Sequence, residues 1–317
     1  MGVSATPSDA CSPEAIGRRR RFTPIPCPFP AGGKGFAAMT PITRRAALAA
    51  ALPLAAASPR PPRIVSLNPC LDAILVRVAD RSQIAALSHY SRDPNGSSIL
   101  SIARTLPYTY ETAEEVVALR PDLVLGSVHA SRATQQALDR MGIRSEQFDV
   151  PGSVAESLAQ VRRIGVVVGH ADRGEALARA IEAAIAEAAP RAGERPLTAL
   201  VFQPNGLAAG KGTLMDEMLT RAGFVNVAER YGLSRWGNVA LERLIADPPQ
   251  VLLAGQSAPD APTWADRVTN HPALASLAGR MQRTVFPERL LYCGGPVLIE
   301  TAAALADARR QARKAGL

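Results

Sequence analysis

The 317-residue chain is 47% apolar and only 4% aromatic, a balance that argues against disorder and points to helix-rich globular structure in two units of ordinary domain size. Its net charge of +8 is concentrated early: residues 1–57 hold seven Lys/Arg and two acids, leaving 29 basic against 26 acidic residues beyond them. That remainder lacks a basic stripe interleaved with aromatics, which speaks against a nucleic-acid binder.

Residues 1–38 are rich in Pro, Gly, Ser and Arg without periodicity, and read as a disordered extension or a mis-assigned start ahead of Met39. Residues 39–58 read as an export signal. The pair Arg44-Arg45 precedes an Ala/Leu-rich run too short to span a bilayer, then small residues suited to cleavage. The twin arginine suits a Tat signal, with an ordinary Sec signal as the alternative.

The mature chain opens with a strand at RIVSLN (63–68) and a helix from Pro69. A second strand at IAALSHY (84–90) ends in the turn-rich SRDPNGSS. Residues 111–128, ETAEEVVALRPDLVLGSV, form a distinctive unit. Thr112 caps a helix with Glu114 and Glu115 in its first turn, Pro121 stops it, and Leu-Val-Leu suits a strand covered on both faces. A helix at 131–141 and a strand IRSEQFDV complete an N-terminal α/β lobe over 59–152.

Residues 153–194 make a helical linker, broken at Gly169-His170-Ala171 and recapped by Asp172. Its second helix, roughly 17 residues and so about 25 Å long, can run between lobes. A C-terminal lobe, 195–317, restarts at LTALVFQ and carries a second helix-stop-strand unit, NVALERLIADPPQVLLAG, with Glu242 early in its helix. Two such units roughly 130 residues apart imply two lobes of one design. The fold expected is α/β: two doubly wound lobes with mainly parallel sheets, joined by a long helix, with a ligand cleft between them.

Six segments in order resemble one family: RIVSLNPCLDAIL, IAALSHYSRDP, AEEVVALRPDLVLGS, AAGKGTLMDEMLTRAG, SRWGNVALERLIADPPQVLLAG and LLYCGGPVLIE. They are similar to the periplasmic cobalamin and ferric-siderophore substrate-binding proteins of ABC importers. The resemblance implies a periplasmic, helix-linked, monomeric receptor that is no enzyme, needs no cofactor, and delivers a large metal chelate to an inner-membrane ABC permease. It implies that Glu114 and Glu242, one per lobe, dock onto the permease; good helix N-terminal placement explains either one alone. It also implies a cleft position for Trp236, a flat apolar platform, and with less force for Tyr90.

In open α/β sheets the cleft lies at the carboxyl ends of the strands. That places Cys70, His89, Tyr90, Arg92, His129, Arg132, Gln203, Trp236 and Cys293 on or beside ligand-facing loops, with Arg289 nearby. Arg92, Arg132 and Arg289 suit an anionic siderophore; Trp236 and Tyr90 suit a neutral cobalamin. Three readings of Cys70 and Cys293 stay open: a disulfide in an oxidising compartment, a ligand or metal contact, and unpaired packing thiols. A disulfide would tie the two lips together, obstructing the ligand unless the cleft lies to one side. His89 and His129 with a cysteine approach a tetrahedral donor set, but the His and carboxylate pattern of metal-ion receptors is missing, so no metal site is assigned. A haem receptor using His or Tyr, or a metal-ion receptor, is the alternative within the fold. His170 and His271 read as surface or helix-break residues. The alternative outside the receptor class is a cytoplasmic two-lobed chelatase-like enzyme. The chain has no G-x-S-x-G elbow, no P-loop and no H-E-x-x-H.

Overall fold

A computed structural model of the protein describes residues 60–255 and 270–317; the expected extension and export signal lie outside the described residues. The first lobe runs β1 (Ile64–Ser66), α1 (Pro69–Val78), β2 (Ile84–Ser88), α2 (Leu100–Ala103), β3 (Tyr108–Thr109), α3 (Ala113–Ala118), β4 (Leu123–Ser127), α4 (Arg132–Arg140) and β5 (Ser145–Phe148). Its sheet has the order β3-β2-β1-β4-β5, and every pairing is parallel. Local chemistry sets the helix starts: the Asn68, Thr112 and Ser131 side chains each accept a first-turn backbone N–H. Two elements go beyond the sequence reading, the short α2 and the edge strand β3. The expected strand 84–90 stops at Ser88, because residues His89–Arg92 wind into a 3-10 turn.

Two helices follow, α5 (Val154–Val167) and α6 (Ala171–Glu187). They form a tight antiparallel hairpin, made possible by a glycine pair: a Cβ on Gly165 would lie 2.8 Å from the Gly174 Cα. The sequence places the break between them at the surface, yet His170 there is only 2% exposed. Its Nε2 lies 2.8 Å from the Gln83 Oε1 and 3.4 Å from Asp80, so the break is a buried polar junction with the first lobe. Burial also lowers the pKa of His170.

The second lobe comprises β6 (Leu197–Phe202), β7 (Leu207–Ala209), α7 (Leu214–Arg221), β8 (Phe224–Asn226), β9 (Trp236–Asn238), α8 (Leu241–Ala246), β10 (Val251–Ala254), α9 (Pro272–Ala275), β11 (Gln282–Val285) and α10 (Val297–Lys314). Its sheet runs β11-β10-β6-β7-β9, with β8 also on β6. The pairings of β6 with β8 and β10, and of β10 with β11, are parallel; β7 and β9 are antiparallel.

Strand alternation explains how both sheets are covered on two faces. Ile64, Leu123, Leu125, Ala199, Val201, Val251 and Leu253 turn into one continuous core that includes α1, α5, α6, α7 and α10. Their neighbours Val65 and Val124 face a second cluster, and Leu200, Phe202, Leu252 and Ala254 a third. The lobes therefore share a central helical layer. Arg309 of α10 fastens it by donating to the carbonyls of Ala188, Ala189 and Ala222, which end α6 and α7. Among the described residues no helix is long and apolar enough to cross a membrane.

Candidate functional site

Because the parallel strands point their carboxyl ends the same way, the turns after β1, β2, β4 and β5 gather along one edge of the first lobe. The second lobe brings β9 and the turn before α10 against them. The turns after β4 and β5, with β9 and the turns before α7 and α10, border a hollow of about 330 Å³ lined by His129, Asp149, Thr213, Arg235, Trp236 and Tyr292, with further apolar residues; no residue of the turns after β1 and β2 lines it.

The aromatic residues define the surface of this region. Only five tyrosines occur in the sequence, and Tyr90, Tyr108, Tyr110 and Tyr292 are all exposed, at 56%, 40%, 59% and 44%. Three of them build a lip on the first lobe with His89. The His89 ring centroid lies 3.9 Å from that of Tyr90 and 4.9 Å from that of Tyr110, and Tyr108 meets Tyr110 edge-on at 5.5 Å. From the second lobe Trp236, 43% exposed, faces Tyr292 at 6.0 Å between centroids. Exposed rings in this number, in a chain so poor in aromatics, make these patches the candidate binding surface. Donation of the Tyr110 hydroxyl to Tyr108 raises the Tyr110 pKa, and burial raises that of Tyr292, so both remain neutral phenols.

The remaining sequence candidates fall in different places. Arg92 is half-buried: its guanidinium stacks 4.0 Å from the Tyr108 ring and donates to the carbonyls of Ala103 and Leu106. It supports the lip rather than projecting from it. Arg289 pairs with Glu300 at 3.3 Å, whereas Arg132 stands exposed at the start of α4. His129 is exposed, and its Nε2 lies 2.9 Å from Asp149. Gln203 is sealed in the second lobe, 2% exposed. His271 caps α9 through its Nδ1. Glu114 and Glu242 are exposed in the first turns of α3 and α8, with no ion-pair or hydrogen-bond partner among the described residues. Sequence reasoning missed Tyr108, Tyr110 and Asp149; the lone signal for the tyrosines was their clustering in PYTYE just ahead of α3.

Cys70 and Cys293 are joined in a disulfide, with Cα atoms 5.1 Å apart across 223 residues of sequence. This geometry removes both sulfurs as ligand or metal donors, and the mixed Cys/His donor set with them; among the described residues no group of three metal-binding side chains occurs. The bond ties α1 of the first lobe to the turn before α10. That turn is pressed onto α5 and the first lobe: the Gly295 N–H donates to the Ser157 Oγ of α5 at 2.7 Å, and a Cβ on Gly295, whose φ is +65°, would lie 2.7 Å from Ile74 of α1. Neither cysteine lines the hollow that holds Trp236, but Tyr292 does. The bond therefore sits beside the cleft and fixes one of its rings.

Behind the lip lies a buried acid. Asp72 is fully enclosed, and its Oδ2 accepts from the Ser88 N–H at 2.9 Å and the Ser91 hydroxyl at 2.6 Å. Burial pushes its carboxyl up to about 8 against these donors and Ser66. Relative to the usual 3.8, the native state holds this proton over a pH range where the unfolded chain has released it. Stability should therefore fall as pH rises between those two values. Asp72→Asn, which keeps a neutral side chain of the same shape, should flatten that slope in urea unfolding series; an unchanged slope would count against a protonated Asp72.

The fold and cleft define a two-lobed, helix-linked binding protein. Residues 64–286 match the family model described as "Periplasmic binding protein", and the chain belongs to that family. It is similar to the periplasmic heme-binding protein RhuT from Roseiflexus sp. RS-1, with 26% identity, a TM-score of 0.64, and coverage of 78% of this chain and 98% of that one. A periplasmic heme-binding protein from Pseudomonas aeruginosa shares 25% identity, at a TM-score of 0.60 and coverage of 78% and 92%. The vitamin B12 binding protein BtuF of Vibrio cholerae, 16% identical over 80% and 99% at a TM-score of 0.60, shares the fold. The search of curated proteins returned no match.

Proposed function

We propose that this protein is the periplasmic receptor of an ABC importer for a metal tetrapyrrole, with haem as its ligand. The observation that carries this reading is the exposed ring lip of His89, Tyr90, Tyr108 and Tyr110 on the first lobe, with a second exposed ring pair, Trp236 and Tyr292, on the second. Flat exposed rings suit a flat macrocycle, and His89 and Tyr90 supply the imidazole and phenol donors that bind ferric iron. Similarity to heme-binding proteins at 25–26% identity agrees with it. The siderophore reading loses support from the arginines, since Arg92 and Arg289 are already engaged. Arg235 in the hollow and the exposed Arg132 remain as partners for carboxylate groups of the ligand.

In this reading the protein is exported, acts as a monomer without catalysis, and hands its cargo to the permease through Glu114 and Glu242. Titration of the purified protein with ferric haemin, cobalamin, a ferric hydroxamate and a ferric catecholate tests it. Haemin should give a saturable shift in the haem absorbance at one equivalent, with quenching of tryptophan fluorescence. Saturable binding of cobalamin or a siderophore without binding of haemin would replace haem as the cargo.

A further inference from the structure

The acid groups behind the lip are arranged toward one ring. Ser88, which ends β2, donates its hydroxyl to the Glu111 Oε1 at 2.5 Å while its N–H is held by Asp72. The turn that carries His89 and Tyr90 is thus tied to carboxylates from two other elements. Glu111 itself has an unusual backbone: its φ is +70°, the left-handed region that a side chain with a β-carbon disfavours. The conformation is retained because both sides of the residue are bonded. Its N–H donates to the Thr109 Oγ1 at 3.0 Å, and its carbonyl accepts from the Thr134 Oγ1 at 3.4 Å. The effect is to turn the Glu111 carboxylate inward, beneath the rings.

His89 is the ring that this carboxylate meets. The side chain is 28% exposed, but its Nδ1 is sealed from solvent and has no hydrogen-bond partner. The nearby charge is the Glu111 Oε1, 3.9 Å away. A lone pair on Nδ1 would face that negative charge in a water-free place, whereas an N–H there is attracted to it. The proton therefore belongs on Nδ1, and the lone pair falls on Nε2.

We infer that Glu111 is a positioning residue that holds His89 as its Nδ1–H tautomer, leaving Nε2 as a donor for the metal of the bound chelate. This rests on the tetrapyrrole reading for what Nε2 meets, but not for the tautomer. With a metal on Nε2 this would act as a carboxylate behind an imidazole does, orienting it and strengthening it as a donor, here through charge at 3.9 Å and not through a hydrogen bond.

Imidazole nitrogen NMR of the ligand-free protein tests the tautomer directly. Wild type should show His89 protonated on Nδ1. Glu111→Gly, which accepts the positive φ without strain, should lose that preference, and Glu111→Gln, which keeps the shape but only the partial negative charge of an amide oxygen, should keep a weakened form of it. In haemin titrations Glu111→Gly should weaken binding by about 10–100-fold and alter the visible spectrum, with partial rescue by Glu111→Gln. In a His89→Ala background Glu111→Gly should add little further loss. An unchanged tautomer in Glu111→Gly, or the same loss in the His89→Ala background, would overturn the assignment and leave Glu111 a mere support of the turn. If wild type takes cobalamin and not haemin, the haem reading falls, while the tautomer comparison still decides the role of Glu111.

Discussion

Cleaving the Cys70–Cys293 bond should lower the unfolding free energy by about 3–5 kcal/mol, because it frees a very long loop in the unfolded chain. The two cysteines are 223 residues apart, so the bond closes most of the folded body into one ring. For a protein of this size that loss corresponds to a drop in melting temperature of roughly 10 °C. The native contacts around the bond persist without it, notably Gly295 on Ser157 and the shared helical core, so the reduced protein should still fold. Ligand affinity should fall as well, since the freed turn carries Tyr292 into the cleft. Thermal melts with and without a reductant check this, with Cys70→Ser as the control that reductant no longer affects. Coincident melting curves for the oxidised and reduced wild type would refute it.

Reversing the charges at Glu114 and Glu242 should abolish uptake while leaving ligand affinity within about three-fold, if both carboxylates meet basic groups on the permease. Each lies in the first turn of a helix that precedes a central strand, α3 before β4 and α8 before β10. Helices running against their strands set those first turns near the cleft edge of each lobe, where a membrane partner could read both lobes at once. The exposed side chains have no partner among the described residues, so Glu→Arg should cost the fold only about 0.3–1 kcal/mol through the helix dipole. Growth on the chelate as sole iron source, beside direct titration of each variant, separates the two effects. Normal uptake by the double variant would remove the docking role; loss of binding in both single variants would place the residues in the ligand site instead.

How far the molecule was legible in advance depended on the range of the interactions. Asn68, Thr112 and Ser131 mark their helix starts, Pro121 marks a stop, and the apolar runs at 123–125 and 251–254 mark strands buried on both faces. Each is decided within a few residues by hydrogen-bond geometry and side-chain period, so the sequence by itself determined the two-lobed plan and the inter-lobe helix. The site was harder. Which loops converge is decided by strand order, and the short β3 that brings Tyr108 and Tyr110 beside His89 is too brief to leave a periodic trace. His170 reads as a surface break because a polar residue interrupts a helix there, yet Gln83, remote in sequence, buries it. The pairing of Cys70 with Cys293 and the inward turn of Glu111 toward Ser88 and His89 likewise appear only once the chain is packed. Local propensity records whether a residue is inside or outside its own element; the partner it meets there is settled by the packing of distant elements, and only the tertiary structure decides that.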